Sequence, residues 1–299
     1  MKKYAAGIVL YNPEIKRLKA NIDSIYRQVE LVYCFDNGSN NLNEVQVLLS
    51  SYSNVLLIKS PQNLGIAIAL NRIGKELIKK DFKWFLALDQ DTVSPINMIK
   101  EFSKFVDYKD VGIICPNVID KRMNKDCYYD QSVTYVDYCI TSGSLINLKI
   151  FQRLNGFDEY LFVGCIDDEY SYRLILNNYK ILKINYLFLD QEFGVLLPKK
   201  NAKFWVKLGD ICHIDKIKSL SYKRIIAPIR FYYLSRNYLY LSKKYKLYPN
   251  HNFGYCKIIY EDLSAVFRGN NKREIIKAIL AGLKDGYKVK VKTYEIERK

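Results

Sequence analysis

The strongest constraint on this chain is a rhythm of four short apolar runs, three of which stop at a polar cluster. Ala5 to Tyr11 ends at Asn12-Pro13, and Leu31 to Phe35 ends at Asp36-Asn37-Gly38-Ser39. Val55 to Lys59 is the third run, and Trp84 to Leu88 ends at Asp89-Gln90-Asp91. Runs this short and this continuously apolar read as strands covered on both faces. Ile15, Leu18, Ile22 and Ile25 recur at helical spacing, which predicts a helix from about Pro13 to Arg27. A second helix is predicted from about Gly65 to Lys79. The order β-α-β-α-β-α-β is that of a doubly wound parallel sheet. Right-handed crossovers carry the carboxyl ends of such strands to one edge, where these sheets bind ligands. Tyr11-Asn12, Asp36-Asn37 and Asp89–Asp91 are therefore expected to meet.

Residues 111–148 read as short mixed strands with a polar loop at 120–130. Short helices are expected at 150–155 and 167–177, and strands near Ile181 and Leu187. Beyond Pro198 the texture becomes basic and aromatic, with helices expected at 222–244, 255–268 and 272–284 and a domain boundary near 200. Residues 1–196 carry 23 Lys+Arg and 23 Asp+Glu, whereas 197–299 carry 24 and 8, so the whole +16 charge belongs to the last third. Such a block suits nucleic acid, an anionic membrane face or a phosphate-bearing substrate. No zinc-finger, helix-turn-helix or RNP-type pattern accompanies it, so nucleic acid is not expected. The 7 cysteines are odd in number and never C-x-x-C spaced, which argues against a disulfide framework and a zinc site and for a reducing, cytosolic compartment. No secretory signal pattern and no 18-residue apolar run is read, so any membrane contact is expected to be peripheral.

Asp89 and Asp91, two residues apart at a strand end, can hold a divalent cation bridging a diphosphate. The alternative is a helix N-cap before Ser94-Pro95. Asn63-Leu64-Gly65 is a glycine turn opening a helix whose amides can face a ligand. Asp167-Asp168-Glu169 places three carboxylates in a helix's first turn, where like charges raise one another's pKa and suit a general base. There is no G-x-G-x-x-G after the first strand and no G-x-x-x-x-G-K-[ST], which argues against a dehydrogenase and a P-loop enzyme.

The runs AGIVLYNP, FDNGS, SPQNLGIAIALN, LALDQDT, SGSLI, GFDEYLF, IDDEYSYR and RFYYLSRN occur in this order over residues 4 to about 240. In them the chain resembles the family 2 inverting glycosyltransferases, in their rhamnosyltransferase-like branch. The resemblance implies an α/β fold of GT-A type: a Rossmann-like, nucleotide-sugar-binding mixed sheet flanked by helices. It implies a catalytic domain over residues 1–200 and a basic helical extension over 201–299 that meets membrane surface or acceptor. Tyr11 and Asn12 then line the nucleotide, and Asp36 recognises the pyrimidine. Asn63, Gly65 and Asn71 pack beside the nucleotide. Asp89 and Asp91 form the metal and ribose-diphosphate motif, with magnesium or manganese as cofactor. Asp167 is the implied catalytic base, and Glu169 and Arg173 support it. In the place of a family histidine stands Gln191, and His213 is a spare candidate ligand. Arg230 and Arg236 are candidates for the diphosphate. The implied partners are a dTDP- or UDP-sugar, rhamnose favoured by branch, and a glycan acceptor on a polyprenyl diphosphate. The implied location is the inner face of the cell membrane and the implied pathway surface polysaccharide assembly. A nucleic-acid-binding protein and a sugar nucleotidyltransferase are the competing readings. The second should carry a glycine-rich basic loop where Tyr11-Asn12-Pro13-Glu14 stands.

Overall fold

In a computed structural model the described residues are 4–120, 130–192, 195–198, 200–212, 214–218, 221–248, 253–268 and 271–296. They form two compact units: residues 4–119, 130–162 and 166–192 in one, and Asp120, Val163–Cys165 and the residues from 195 onward in the other.

The first unit opens with β1 (Tyr4–Leu10), α1 (Ile15–Ile25), β2 (Leu31–Asn37), α2 (Leu42–Leu49), β3 (Val55–Ser60), α3 (Ile66–Lys79) and β4 (Trp84–Asp89). These four strands pair in parallel in the order β3-β2-β1-β4. The anticipated strands and both anticipated helices are present. The short helix α2, which buries only Val45 and Leu49, is an addition. The apolar runs are buried as their composition requires: Phe85, Leu86 and Ala87 of β4 have no exposed surface. Glu14 caps α1 by accepting from the amides of Lys16 and Arg17. Leu18, Ile22 and Ile25 turn inward onto the sheet, and Asn21 is buried with them.

The remaining elements are β5 (Thr92–Val93), α4 (Met98–Ser103), β6 (Val111–Ile119), β7 (Val133–Val136), β8 (Ser144–Asn147), α5 (Leu148–Arg153), α6 (Ile166–Leu176) and β9 (Lys180–Gln191). The sheet continues as β4-β8-β6-β9-β5, with β7 also on β9. It is therefore mixed: β8 runs antiparallel to both β4 and β6, while β6 and β9 are parallel. The strands expected near Ile181 and Leu187 are the two halves of β9. They are separated by a register shift where Pro116 pairs with Ile184 and Asn117 with Phe188.

β8 decides what meets at the ligand edge. Because it is antiparallel, its amino end lies beside the carboxyl end of β4, and the loop leading into Ser144 enters there. The next helix after Asp91 starts at Met98 with Asn97 as its cap, so the acid pair is not a helix N-cap.

The second unit contains β10 (Val195–Pro198), α7 (Ala202–Cys212), α8 (Asp215–Lys218), β11 (Tyr222–Ile225), α9 (Pro228–Lys244), α10 (Tyr255–Arg268) and α11 (Lys272–Lys288). The helix expected over 222–244 begins only at Pro228, because Tyr222–Ile225 pairs antiparallel with β10. α11 packs along α9: Gly282 and Gly286 leave no room for a side chain, since a Cβ would lie 2.2 Å from the Tyr232 carbonyl oxygen and 2.9 Å from that of Arg236. Among the described residues no helix is long and apolar enough to cross a membrane.

Candidate functional site

The three polar clusters meet at the carboxyl ends of β1, β2 and β4. Asp36 closes β2 with no exposed surface. Its Oδ2 accepts from the amides of Gly38 (3.2 Å) and Ser39 (3.1 Å), and its Oδ1 is buried with no hydrogen-bond partner among the described residues. Asn12 has φ 47°, in the left-handed region that asparagine tolerates. Its amide donates to Ser39 Oγ (2.9 Å), and its own Oδ1 accepts from the Asn40 amide (2.7 Å), which ties the end of β1 to the turn after β2. Tyr11, 49 % exposed, is held through its backbone: Gln90 Oε1 accepts from its amide at 2.8 Å and Gln90 Nε2 donates to its carbonyl at 3.3 Å. The middle residue of Asp89-Gln90-Asp91 therefore joins β1 to β4.

The acid pair is framed from several sides. Asn21 Nδ2 donates to the Asp89 carbonyl (2.5 Å), and Arg17 Nε to that of Asp91 (2.7 Å). Arg17 also meets Asp190 at 3.8 Å and Glu192 at 3.7 Å. The Asp89 amide donates to Ser142 Oγ at 3.0 Å, and Ser142 shares a 2.8 Å hydroxyl contact with Thr92. Gln191, at the end of β9, donates from Nε2 to Asp89 Oδ2 at 2.6 Å. Its Oε1 is buried and has no hydrogen-bond partner among the described residues. Gln191 thus reaches the acid pair. His213 lies outside the described residues.

The glycine turn before α3 behaves differently from the expectation that its amides face a ligand. Leu64 N donates to Asn37 Oδ1 (2.8 Å), Gly65 N to Asn63 Oδ1 (2.9 Å) and Ile66 N to the Phe162 carbonyl (2.9 Å). Those three amides are occupied within the chain. Gly65 has φ 85°, and a Cβ there would lie 2.6 Å from the Phe162 carbonyl oxygen. Asn71 is 3 % exposed and serves the turn after α5. It donates to the Phe157 carbonyl (2.9 Å) and Glu159 Oε1 (3.0 Å) and accepts from the Phe157 amide (2.8 Å).

Asp167 opens α6 as a half-buried residue, with Thr141 donating its hydroxyl to Oδ1. Burial pushes its carboxyl up to about 6; the Thr141 hydroxyl and amide oppose that shift and the Asp168 charge adds to it. Glu169 and Arg173 are a buried, bidentate pair: Arg173 Nε meets Oε1 at 2.9 Å and Nη2 meets Oε2 at 2.7 Å. Arg173 also donates to the carbonyls of Leu154 and Gly156, so the pair fastens α6 to the turn after α5.

Arg230 and Arg236 lie on α9 of the second unit. Arg230 is exposed, whereas Arg236 lies 4.8 Å from the Tyr233 ring centroid and donates to Asn237 Oδ1. In the same run, reading from the charges overlooks Asn237. It is fully buried and donates to the carbonyls of Val163 (3.0 Å) and Gly164 (2.9 Å), the residues leading into α6. Thr141 and Ser142 are likewise invisible to a search for charge, although the run SGSLI marks their neighbourhood.

Among the described residues, the acid pair and the Gln191 amide Oε1 offer oxygen donors at this edge. Hard cations fit such a set. Among the described residues no group of three or more His, Cys, Asp or Glu side chains is placed to hold a metal ion.

The model of "Glycosyl transferase family 2" matches residues 6–172. The chain is 28 % identical over 257 residues to a dTDP-rhamnosyl transferase, RfbF, of Shigella flexneri, covering 80 % of this chain and 79 % of that one. Among solved structures it is similar to S. aureus TarS 1–349 in complex with UDP-GlcNAc, with TM-score 0.56 and 14 % identity over 95 % of this chain and 81 % of that one. A structure of GalNAc-T7 with UDP, GalNAc and Mn2+ matches with TM-score 0.53 and 14 % identity, covering 64 % of this chain and 44 % of that one. At these identities the structural likenesses establish the fold, which is GT-A.

Proposed function

The chain belongs to glycosyl transferase family 2, and on that premise we propose that it moves a sugar from a pyrimidine nucleotide to a glycan hydroxyl with inversion at the anomeric carbon. The observation that carries this reading is one sheet edge holding the buried Asp36 carboxyl, an acid pair and, tied to that pair through residues 141–142, a carboxyl of raised pKa. Asp36 Oδ1 suits the imide N–H of uracil or thymine, a donor that cytosine lacks at that position. A dTDP- or UDP-sugar is therefore favoured, and the rhamnosyl relative favours dTDP-rhamnose. Tyr11 and Asn12 line the nucleotide, and Asn63, Gly65 and Asn71 shape the wall beside it.

Asp89 and Asp91, with Gln191 Oε1 as a third oxygen, would hold magnesium or manganese. A bound cation supplies charge neutralisation at the departing diphosphate. Asp167 accepts the proton of the acceptor hydroxyl as its oxygen bonds to the anomeric carbon and the bond to the nucleotide diphosphate breaks. A base held near 6 is ionised at neutral pH yet retains enough basicity to take that proton. Inversion requires one such base and no nucleophile behind the sugar. Glu169 and Arg173 hold α6 in place, and Arg230 and Arg236 remain candidates for acceptor or donor diphosphate.

Residues 1–200 form the catalytic domain in this reading, and 201–299 face the acceptor and the membrane. On α11, Ile276, Leu280 and Tyr287 are 42 %, 60 % and 79 % exposed. Arg273, Lys277, Lys284 and Lys288 are exposed on the same helix. On α10, Tyr255, Ile259, Tyr260 and Leu263 are exposed. Apolar stripes flanked by Lys and Arg suit an anionic lipid surface, consistent with a polyprenyl-diphosphate-linked acceptor at the inner membrane face and with polysaccharide assembly.

The test is a thermal-shift panel of dTDP-rhamnose, UDP-GlcNAc, UDP-glucose and a CDP-sugar, each with and without magnesium or manganese. A dTDP- or UDP-sugar at large excess stabilises the protein by about 3 kcal/mol, and the CDP-sugar does not. Absence of a shift with every uracil or thymine nucleotide overturns the reading.

A further inference from the structure

The stretch Cys139–Ser144, between β7 and β8, is bonded to both acidic clusters. On one side Ser142 Oγ accepts from the Asp89 amide at 3.0 Å and contacts Thr92 Oγ1 at 2.8 Å. On the other, the Thr141 hydroxyl donates to Asp167 Oδ1. The stretch itself is well anchored. Gly143 N donates to the Ala87 carbonyl of β4 at 2.8 Å, Ser144 Oγ donates to the Ile140 carbonyl at 2.6 Å, and Ser171 of α6 lies against Cys139. Gly143 has φ 83°, and a Cβ would lie 2.5 Å from Leu189 Cδ2, so the turn is closely fitted. Ser142 is 3 % exposed.

We propose that Thr141 is a positioning residue for the transfer: by occupying Oδ1 it leaves Oδ2 as the proton-accepting oxygen of Asp167, while Ser142 next to it sets the acid pair. The proposal rests on Asp167 being the base. In a one-step displacement the base and the leaving diphosphate stand at opposite ends of one reaction axis. Two adjacent side chains on a rigid turn fix both ends relative to each other, which is where misplacement costs rate most steeply. A carboxylate held at Oδ1 by the Thr141 hydroxyl also keeps one orientation, so no rotation precedes proton transfer.

Thr141 also favours the charged form of Asp167. The other ionisable groups near that carboxyl are Asp168 on the same helix, and Cys139 and Tyr170 on the small cavity beside it. Glu169 is neutralised by Arg173. Loss of the Thr141 hydroxyl therefore shifts the ionisation of Asp167 toward higher pH, with no compensating cation nearby among the described residues.

The experiment compares Thr141→Val, Thr141→Ser and Ser142→Ala in full pH–rate profiles with dTDP-rhamnose or whichever nucleotide sugar gives turnover. Thr141→Val lowers kcat about tenfold or more, leaves the donor KM within twofold, and moves the acidic limb up by about one pH unit. Thr141→Ser restores both. Ser142→Ala raises the donor KM and leaves the acidic limb in place. Thr141→Ala carries the same expectation as the valine and serves if the valine fails to fold. An acidic limb unmoved in both Thr141→Val and Thr141→Ala, with equal loss at every pH, overturns the proposal. Asp167→Asn separates the two ideas. If it retains transfer, the base assignment itself falls; if it is inactive and the limb of the Thr141 variants is unmoved, only the positioning role falls.

Discussion

Asp167→Asn is expected to abolish transfer and to stabilise the protein, and the stabilisation depends on pH. The Asp167 carboxyl titrates at about 6 in the folded chain, because burial disfavours its charged form. In the unfolded chain an aspartate titrates near its ordinary value of about 3.9. The folded state thus binds the proton more tightly, and this group's contribution is most favourable below about pH 4. It declines as pH rises and reaches its full cost above about 6. The two titration points differ by an amount worth about 3 kcal/mol, or nearer 2 once solvent around a half-buried side chain is allowed for. Asparagine keeps an oxygen for the Thr141 hydroxyl and has no charge to desolvate. The variant should therefore exceed the wild type by about 2 kcal/mol at pH 8 and by about 1 kcal/mol at pH 5. In a domain of this size the pH 8 gain is a rise in Tm of roughly 4–8 °C. Thermal unfolding at both pH values, with a product assay alongside, measures it. A variant no more stable than wild type at pH 8, or stabilised equally at pH 5 and 8, refutes the idea of a carboxyl held against its preference.

Four further outcomes follow from the same contacts. Asp91→Asn should remove the extra thermal stabilisation that magnesium or manganese gives with donor, while leaving the metal-free Tm within about a degree; a preserved metal effect moves the cation site elsewhere. Glu169→Ala leaves the buried Arg173 guanidinium without its carboxylate and should cost about 3–5 kcal/mol in urea unfolding. Gly65→Ala combines φ 85° with a Cβ 2.6 Å from a backbone oxygen and should cost about 2 kcal/mol or more; a neutral result would contradict the close approach of Phe162. Lys277→Glu with Lys284→Glu should weaken sedimentation with vesicles rich in phosphatidylglycerol but leave turnover on a soluble acceptor unchanged, and undiminished sedimentation would remove α11 from the membrane face.

Much of the site was legible because its residues lie at the ends of strongly apolar strands. The ends of β1, β2 and β4 had to meet once three parallel pairings were accepted, and so did Tyr11, Asp36 and Asp89. The family resemblance then pointed to Asp167 and to Gln191. What a search for charge missed are neutral side chains that tie distant segments together: Asn21, Gln90, Thr141, Ser142 and Asn237. A buried asparagine on the inner face of α1 looks like an interruption of an apolar stripe until Asp89 is seen beside it. The strand at Tyr222–Ile225 was read as helix, because its assignment rests on β10, more than twenty residues upstream.

The division has a physical cause. Apolar periodicity reports how each segment buries itself, so the sequence alone determined the strands and helices of the first half and the edge at which their polar ends gather. It could not report that β8 enters antiparallel between β4 and β6, because those pairings are contacts between segments more than thirty residues apart. Only the tertiary structure decided that Ser142 lies against Asp89, that Thr141 bonds to Asp167, and that Gln191 reaches Asp89 across the sheet.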